Sequence, residues 1–202
     1  MVMNKIRILL IRSYNTMFNK YLLVTNIATC SVMLGLGEVA VQQIEMYRNH
    51  REKRDWSTVG RMMILGGING PLNHYWYTNL DKFFPGRNLG PIVKKIIMDE
   101  TIGSVMFTSI FFIGAGLLAG HTLNDAVDEL KSKFITVYKA DLTIWPVAQL
   151  INFYLIPIKF RVIFVAFLSF GWCSFLCYMS SVEVDKDEGE ISKVSLKAIK
   201  EP

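Results

Sequence analysis

Trp145, Gln149 and Asn152 recur at i, i+4 and i+7 in the run Trp145-Pro146-Val-Ala-Gln149-Leu-Ile-Asn152-Phe153-Tyr-Leu-Ile-Pro157-Ile-Lys-Phe-Arg161. A helix with that spacing turns an indole N–H and two carboxamides to one side. Pro157 then ends the helix and Arg161 starts the next. A second polar set, Asn69, Asn73 and His74, shares its stretch with Gly66-x-x-x-Gly70, whose bare backbone lets another helix approach closely; Gly116-x-x-x-Gly120 repeats the pattern. Groups of this kind either hydrogen-bond across a helix interface or line a wet channel, because an amide left unpaired in an apolar surrounding is costly.

Ionisable candidates are fewer. Glu38 follows Gly35-Leu-Gly37 late in an apolar stretch, where a carboxyl is either a functional group within a membrane or the mark of a helix end at the headgroups. Asp99 and Glu100 precede an apolar run, a place where carboxylates suit the positive terminus of a helix. Arg161 is expected to pair with Asp81, Asp99 or Asp141. No catalytic constellation stands out. His50, His74 and His121 are isolated, no Cys or His pair has zinc spacing, and Cys173 and Cys177, one turn apart, read as small apolar fillers. Gly66, Gly67 and Gly70 lack the strand, lysine and helix of a phosphate loop. The chain is therefore read as a non-enzyme without cofactor-binding residues or metal ligands.

These residues sit on apolar elements. Five stretches, 21–37, 62–80, 101–124, 142–158 and 162–182, hold no Asp, Glu, Lys or Arg. Each is long enough for a helix to span about 30 Å of hydrocarbon, which takes roughly 17 to 25 residues. The 22 basic and 17 acidic residues crowd into the connectors, whereas a soluble helical protein carries charge on the outer face of nearly every helix. An apolar content of 51% and a mean hydropathy of +0.31 exclude a disordered chain. Stretches 62–80 and 142–158 are expected inside the bundle, where neighbours satisfy their amides and the carbonyls that Pro146 and Pro157 free. The expected fold is an all-α integral membrane bundle of four or five transmembrane helices plus an amphipathic surface helix.

That surface helix is assigned to 124–139, where Leu123, Val127, Leu130, Phe134 and Val137 recur at steps of three and four while Asp125, Asp128, Glu129, Lys131 and Lys133 fill the other positions. Residues 45–61 form a charged loop that reads as a solvated juxtamembrane helix or hairpin, and Phe84-Pro85-Gly86 followed by Gly90-Pro91 ends one helix and restarts another. Residues 1–20 hold Lys5, Arg7, Arg12 and Lys20 without an acid; this suits a mitochondrial address, a basic arm on anionic lipid, or the flank of the first helix. Three regions follow: a basic targeting or interfacial segment (1–20), a transmembrane helical domain (21–181) and a mobile polar tail (182–202). The basic residues divide too evenly between the two sides to set orientation, and the net charge of +5 names no partner by itself.

The run from Trp145 to Arg161, with Gly70-Pro71, His74-Tyr75-Trp76-Tyr77, Leu80-Asp81, Phe84-Pro85-Gly86, Asp99 and Trp172, resembles the Mpv/Pmp family of mitochondrial inner-membrane and peroxisomal membrane proteins. Leu22-Leu23-Val24-Thr25-Asn26 and Tyr138-Lys139-Ala140-Asp141 are most similar to its second Mpv-like branch. The resemblance implies four spans and a place in the mitochondrial inner membrane, with the peroxisomal membrane as alternative. It implies a role in mitochondrial ribosome assembly and translation, with a non-selective channel acting on membrane potential and reactive-oxygen homeostasis as the rival. Lipid bilayer, mitochondrial ribosomal subunits and a second copy are the expected partners; direct DNA contact is not expected. Where the family has Asp-Gln and a later proline, this chain has Asp99-Glu100 and Val105, which predicts a straighter third helix.

Overall fold

The computed structural model describes residues 21–86, 88–155 and 158–182, with the backbone path alone for 152–154, 158–163 and 166. The expected basic segment 1–20 and the tail beyond Val182 lie outside the described residues. The described chain is helical: α1 (Leu22–Tyr47), α2 (Trp56–Phe83), α3 (Leu89–Met98), a π-helical turn (Asp99–Gly103), α4 (Ser104–Ala119), α5 (Leu123–Tyr154) and α6 (Ile158–Ser181).

Local chemistry sets the ends. Asp55 caps α2, its Oδ1 accepting from the Ser57 and Thr58 N–H groups at 2.9 and 3.2 Å and its Oδ2 from the Thr58 hydroxyl at 2.6 Å. Those bonds hold its carboxyl below the usual carboxylate range, the Thr58 hydroxyl contributing most. Thr122 and Asp125 exchange side-chain and backbone hydrogen bonds in a capping box that starts α5. Gly120 closes α4 in the left-handed region at φ +92°, and the next N–H, of His121, returns to the Gly116 carbonyl at 3.0 Å. Sequence spacing put Gly120 in a helix seam; a Cβ there would meet nothing within 4 Å, so its role is the turn. Gly116 does pack, since its Cβ would lie 2.8 Å from that of Ala126 on α5.

α1 lies between α2 and α6, α4 lies between α2 and α5, and α5 closes against α6. The α1–α2 seam is the tightest. A Cβ on Gly66 would fall on the Cys30 carbonyl and 2.7 Å from Ser31 Cα, and one on Gly70 would lie 2.5 Å from Ile27 Cα. The two backbones therefore touch at the expected small residues. Phe112, Val137 and Cys177 are fully enclosed in the core.

Two expectations change. The amphipathic stretch 124–139 is not a separate surface helix but the first part of α5, which runs unbroken through Pro146 to Tyr154. Its charges divide: Asp128 and Lys131 face outward, whereas Lys133 is 4% exposed, giving hydrogen bonds to Glu129 Oε1 (2.7 Å) and the Ser180 carbonyl (3.3 Å) beneath the Phe112 ring. Stretches 62–80 and 142–158 bury one side only, leaving Ile64, Ile68, Tyr75, Val147 and Leu150 exposed. An apolar exterior of that kind suits lipid. By length and composition α1 and the run Leu89–Ala119 are able to cross a membrane.

Candidate functional site

The π-helical turn is where polar side chains from three helices converge. Residues four apart share a helix face, so Asp99 goes with Gly103 and Glu100 with Ser104. The first pair faces α2. Trp76 Nε1 donates to Asp99 Oδ1 at 2.8 Å and the Tyr77 hydroxyl to Oδ2 at 3.0 Å. A Cβ on Gly103 would sit 2.5 Å from Asp99 Oδ1 and 3.0 Å from Trp76 Nε1, so a bare position makes room for that bond. The second pair faces α5. Glu100 and Asp141, 8% and 7% exposed, bring their carboxyl groups within hydrogen-bonding reach, with Ser104 beside Asp141.

Two carboxylates have no donor between them. Only a proton, a water or a cation joins such a pair, and Glu100 Oε2 and Ser104 Oγ have no partner among the described residues. The site so combines a fully hydrogen-bonded acid, Asp99, with an open one, Glu100, on adjacent residues. Among the described residues no group of three His, Cys, Asp or Glu side chains is placed to hold a metal ion.

This placement corrects the reading of Asp99 and Glu100 as the start of a helix. They lie inside the continuous run Leu89–Ala119, and the wider π turn replaces the straight segment expected from the missing proline. The polar residues singled out by spacing are less open. His74 Nδ1 and Asn26 Nδ2 lie 3.1 Å apart, and Asn73 Nδ2 donates to the Asn69 carbonyl at 3.0 Å. Trp145 meets Trp172 edge-on at 6.2 Å between centroids, linking α5 to α6, and Gln149 is half-buried one turn on. Asp81 pairs with Lys95 at 2.6 Å. Asn152, Phe153 and Arg161 lie on described backbone, but their side chains, and Pro157 altogether, lie outside the described residues, as does the expected pairing of Arg161 with Asp81, Asp99 or Asp141.

Glu38 is 3% exposed and sits well inside α1, not at its end. Gln42 clasps it: Nε2 donates to Glu38 Oε1 at 2.7 Å and to the Asp55 carbonyl at 3.1 Å, while Oε1 accepts from the Asp55 N–H at 2.9 Å. Sequence reasoning missed Gln42, Ser104 and the burial of Lys133. The available signal was the i, i+4 spacing that each keeps with an acid, Glu38, Glu100 and Glu129.

Comparison with known proteins agrees with the resemblance. The Mpv17 / PMP22 family pattern matches residues 116–177. A "PXMP2/4 family protein 4" of Dictyostelium discoideum is 34% identical over 169 residues, 83% of this chain and 91% of that protein. A "Protein sym1" of Aspergillus oryzae is 31% identical, over 84% of this chain and 97% of its own. The human "Mitochondrial inner membrane protein Mpv17" is 28% identical, over 75% and 86%. No solved structure matches. Identity above 30% over more than four-fifths of the chain, together with the matched pattern from the end of α4 into α6, means that the chain belongs to the Mpv17 / PMP22 family.

Proposed function

We propose that this mitochondrial inner-membrane protein carries a polar passage for small solutes, with Glu100, Asp141 and Ser104 as the groups that a solute meets. The observation behind the reading is the pair of buried oxygens, Glu100 Oε2 and Ser104 Oγ, that the described residues leave without partners. Dry, each would cost about 1–3 kcal/mol. In a bundle surrounded by lipid, water or a cation reaches them only by an interior path. Of the polar residues whose spacing suits either packing or a channel, Asn73 and His74 have hydrogen-bond partners, while Asn69 Oδ1 is buried without a partner among the described residues. A passage of this kind in the inner membrane would act on membrane potential and, through it, on reactive-oxygen homeostasis.

The test is conductance of the purified full-length chain in planar bilayers. Unitary currents are expected whose preference for cations over anions falls in Glu100→Gln and in Asp141→Asn, and stays in Lys131→Gln on the exposed face of α5. Absence of current from pure protein, or selectivity unchanged in both acid variants, refutes the reading.

Support of mitochondrial ribosome assembly and translation, the role implied by the second Mpv-like branch, has one observation in its favour. Arg48 and Lys53 are exposed and enter no ion pair with a described residue, and free cations suit RNA phosphate. Co-sedimentation with ribosomal subunits that withstands salt supports this role; release under mild salt refutes it.

A further inference from the structure

α3 is the least enclosed helix of the bundle: none of its ten residues is buried. Leu89, Val93 and Ile97, spaced by four, form a stripe that is about half exposed, and Phe83 at the end of α2 is exposed as well. Such a stripe needs an apolar partner. Where the end of α2 meets the end of α3 the surface opens into a cavity of about 350 Å³, lined by Trp76, Asn79, Leu80, Phe83, Phe84 and Met98. Asn79 is the one amide in an otherwise hydrophobic wall.

Three lysines stand near its lining residues along α2 and α3. Lys95 bridges α3 to Asp81 on α2 at 2.6 Å and fixes the corner. Lys82 and Lys94 are exposed and form no ion pair with any described residue. Each stands on the same helix face as a lining residue: Lys82 three positions after Asn79, and Lys94 four positions before Met98. An apolar slot with two unpaired ammonium groups on residues close in sequence to its lining is complementary to one kind of bilayer component, an anionic phospholipid. From this geometry we infer that the α2–α3 corner binds a single anionic phospholipid. One acyl chain enters between Leu80, Phe83 and Met98, and the phosphate lies between Lys82 and Lys94. The run Leu89–Ala119 has 31 residues and is therefore about 46 Å long, against about 30 Å of hydrocarbon. It is long enough to bring the lysine-bearing end to headgroup level.

The test uses the full-length chain in nanodiscs of equal dioleoyl phosphatidylglycerol and dioleoyl phosphatidylcholine, with lipid retained on extraction counted by native mass spectrometry. One phosphatidylglycerol is expected to stay bound in preference to phosphatidylcholine. A lysine near an anionic headgroup is worth about five-fold in affinity, so Lys82→Gln with Lys94→Gln should weaken retention roughly 25-fold. The distant Lys131→Gln should leave it unchanged. Met98→Trp fills the slot while keeping both cations and should also release the lipid. Equal retention of the two lipids, an equal loss in Lys131→Gln, retention by Met98→Trp, or displacement of the lipid by inorganic phosphate alone would each overturn the inference.

Discussion

Replacing Gly66 with alanine puts a methyl group where α1 and α2 have no space. The new Cβ would lie on the Cys30 carbonyl and 2.7 Å from Ser31 Cα, whereas carbon atoms rest about 3.5–4.0 Å apart. Both obstacles are backbone, so relief requires the helices to part by roughly 1 Å, and a gap of about 0.5–1 Å forfeits a quarter to a half of each contact's attraction. Overpacking of this kind costs about 1–3 kcal/mol. Alanine also gains about 1 kcal/mol over glycine in helix propensity. Gly60, on the same helix, separates the two effects, since a Cβ there meets nothing within 4 Å. Gly60→Ala should therefore stabilise, and Gly66→Ala should fall below it by about 2 kcal/mol. For a chain of this size that difference amounts to about 4–8 °C in Tm, measurable by circular dichroism of the full-length protein in one detergent. Gly67→Ala should lie between the two, because its 3.1 Å neighbour is the movable Ser31 Oγ. If Gly66→Ala unfolds at or above the temperature of Gly60→Ala, the backbones are not in contact and the seam is wrongly described.

Trp76→Phe keeps the edge contact to Phe107 but removes the donor to Asp99 Oδ1; it should cost about 1–2 kcal/mol in chemical unfolding, more than Tyr77→Phe, whose bond is longer and exposed. Lys133→Met leaves Glu129 and the Ser180 carbonyl without their donor and should cost about 2 kcal/mol by the same assay, and adding Glu129→Gln should recover part of it. Asp55 has a depressed carboxyl pKa in the folded chain. Its stabilising effect is thus present above the unfolded value of about 3.9 and disappears as pH falls through the lower folded value. Hydrogen exchange at residues 56–61 should quicken over that acid range, and Asp55→Ala should show the fast exchange at all pH values.

The helices were legible in sequence, but their lengths were not. Charge-free stretches located every helix but α3, which lies in the charged connector 81–100, and α1, α2 and α5 run well past their stretches because charges outside those stretches are used inside the bundle. Glu38 is clasped by Gln42, and Lys133 by Glu129 and the end of α6. A hydropathy pattern counts such residues as solvent-facing, since it carries no information on whether a partner lies one turn away. Gly66 and Gly70 were read correctly because a small residue has few reasons to recur at four-residue spacing within an apolar helix, whereas Gly120 was misread because the left-handed cap uses the same residue type for its backbone freedom.

The acids and aromatics of the candidate site were legible in sequence, Ser104 was not, and neither was the arrangement. Asp99, Trp76 and Asp141 were all named from sequence. What joins them is the position of α4 between α2 and α5, which sequence spacing does not give. Adjacent helical residues project about 100° apart, so in a helix held between two others Asp99 and Glu100 must address different neighbours. The consequence is chemical. α2 offers Asp99 an indole and a phenol, both donors, and α5 offers Glu100 another acid. Two acids one residue apart thereby acquire opposite roles: Asp99 ties α2 to the π turn, and Glu100 keeps an oxygen that no described side chain satisfies. A carboxamide at position 100 would supply Asp141 with the donor that the ionised Glu100 lacks.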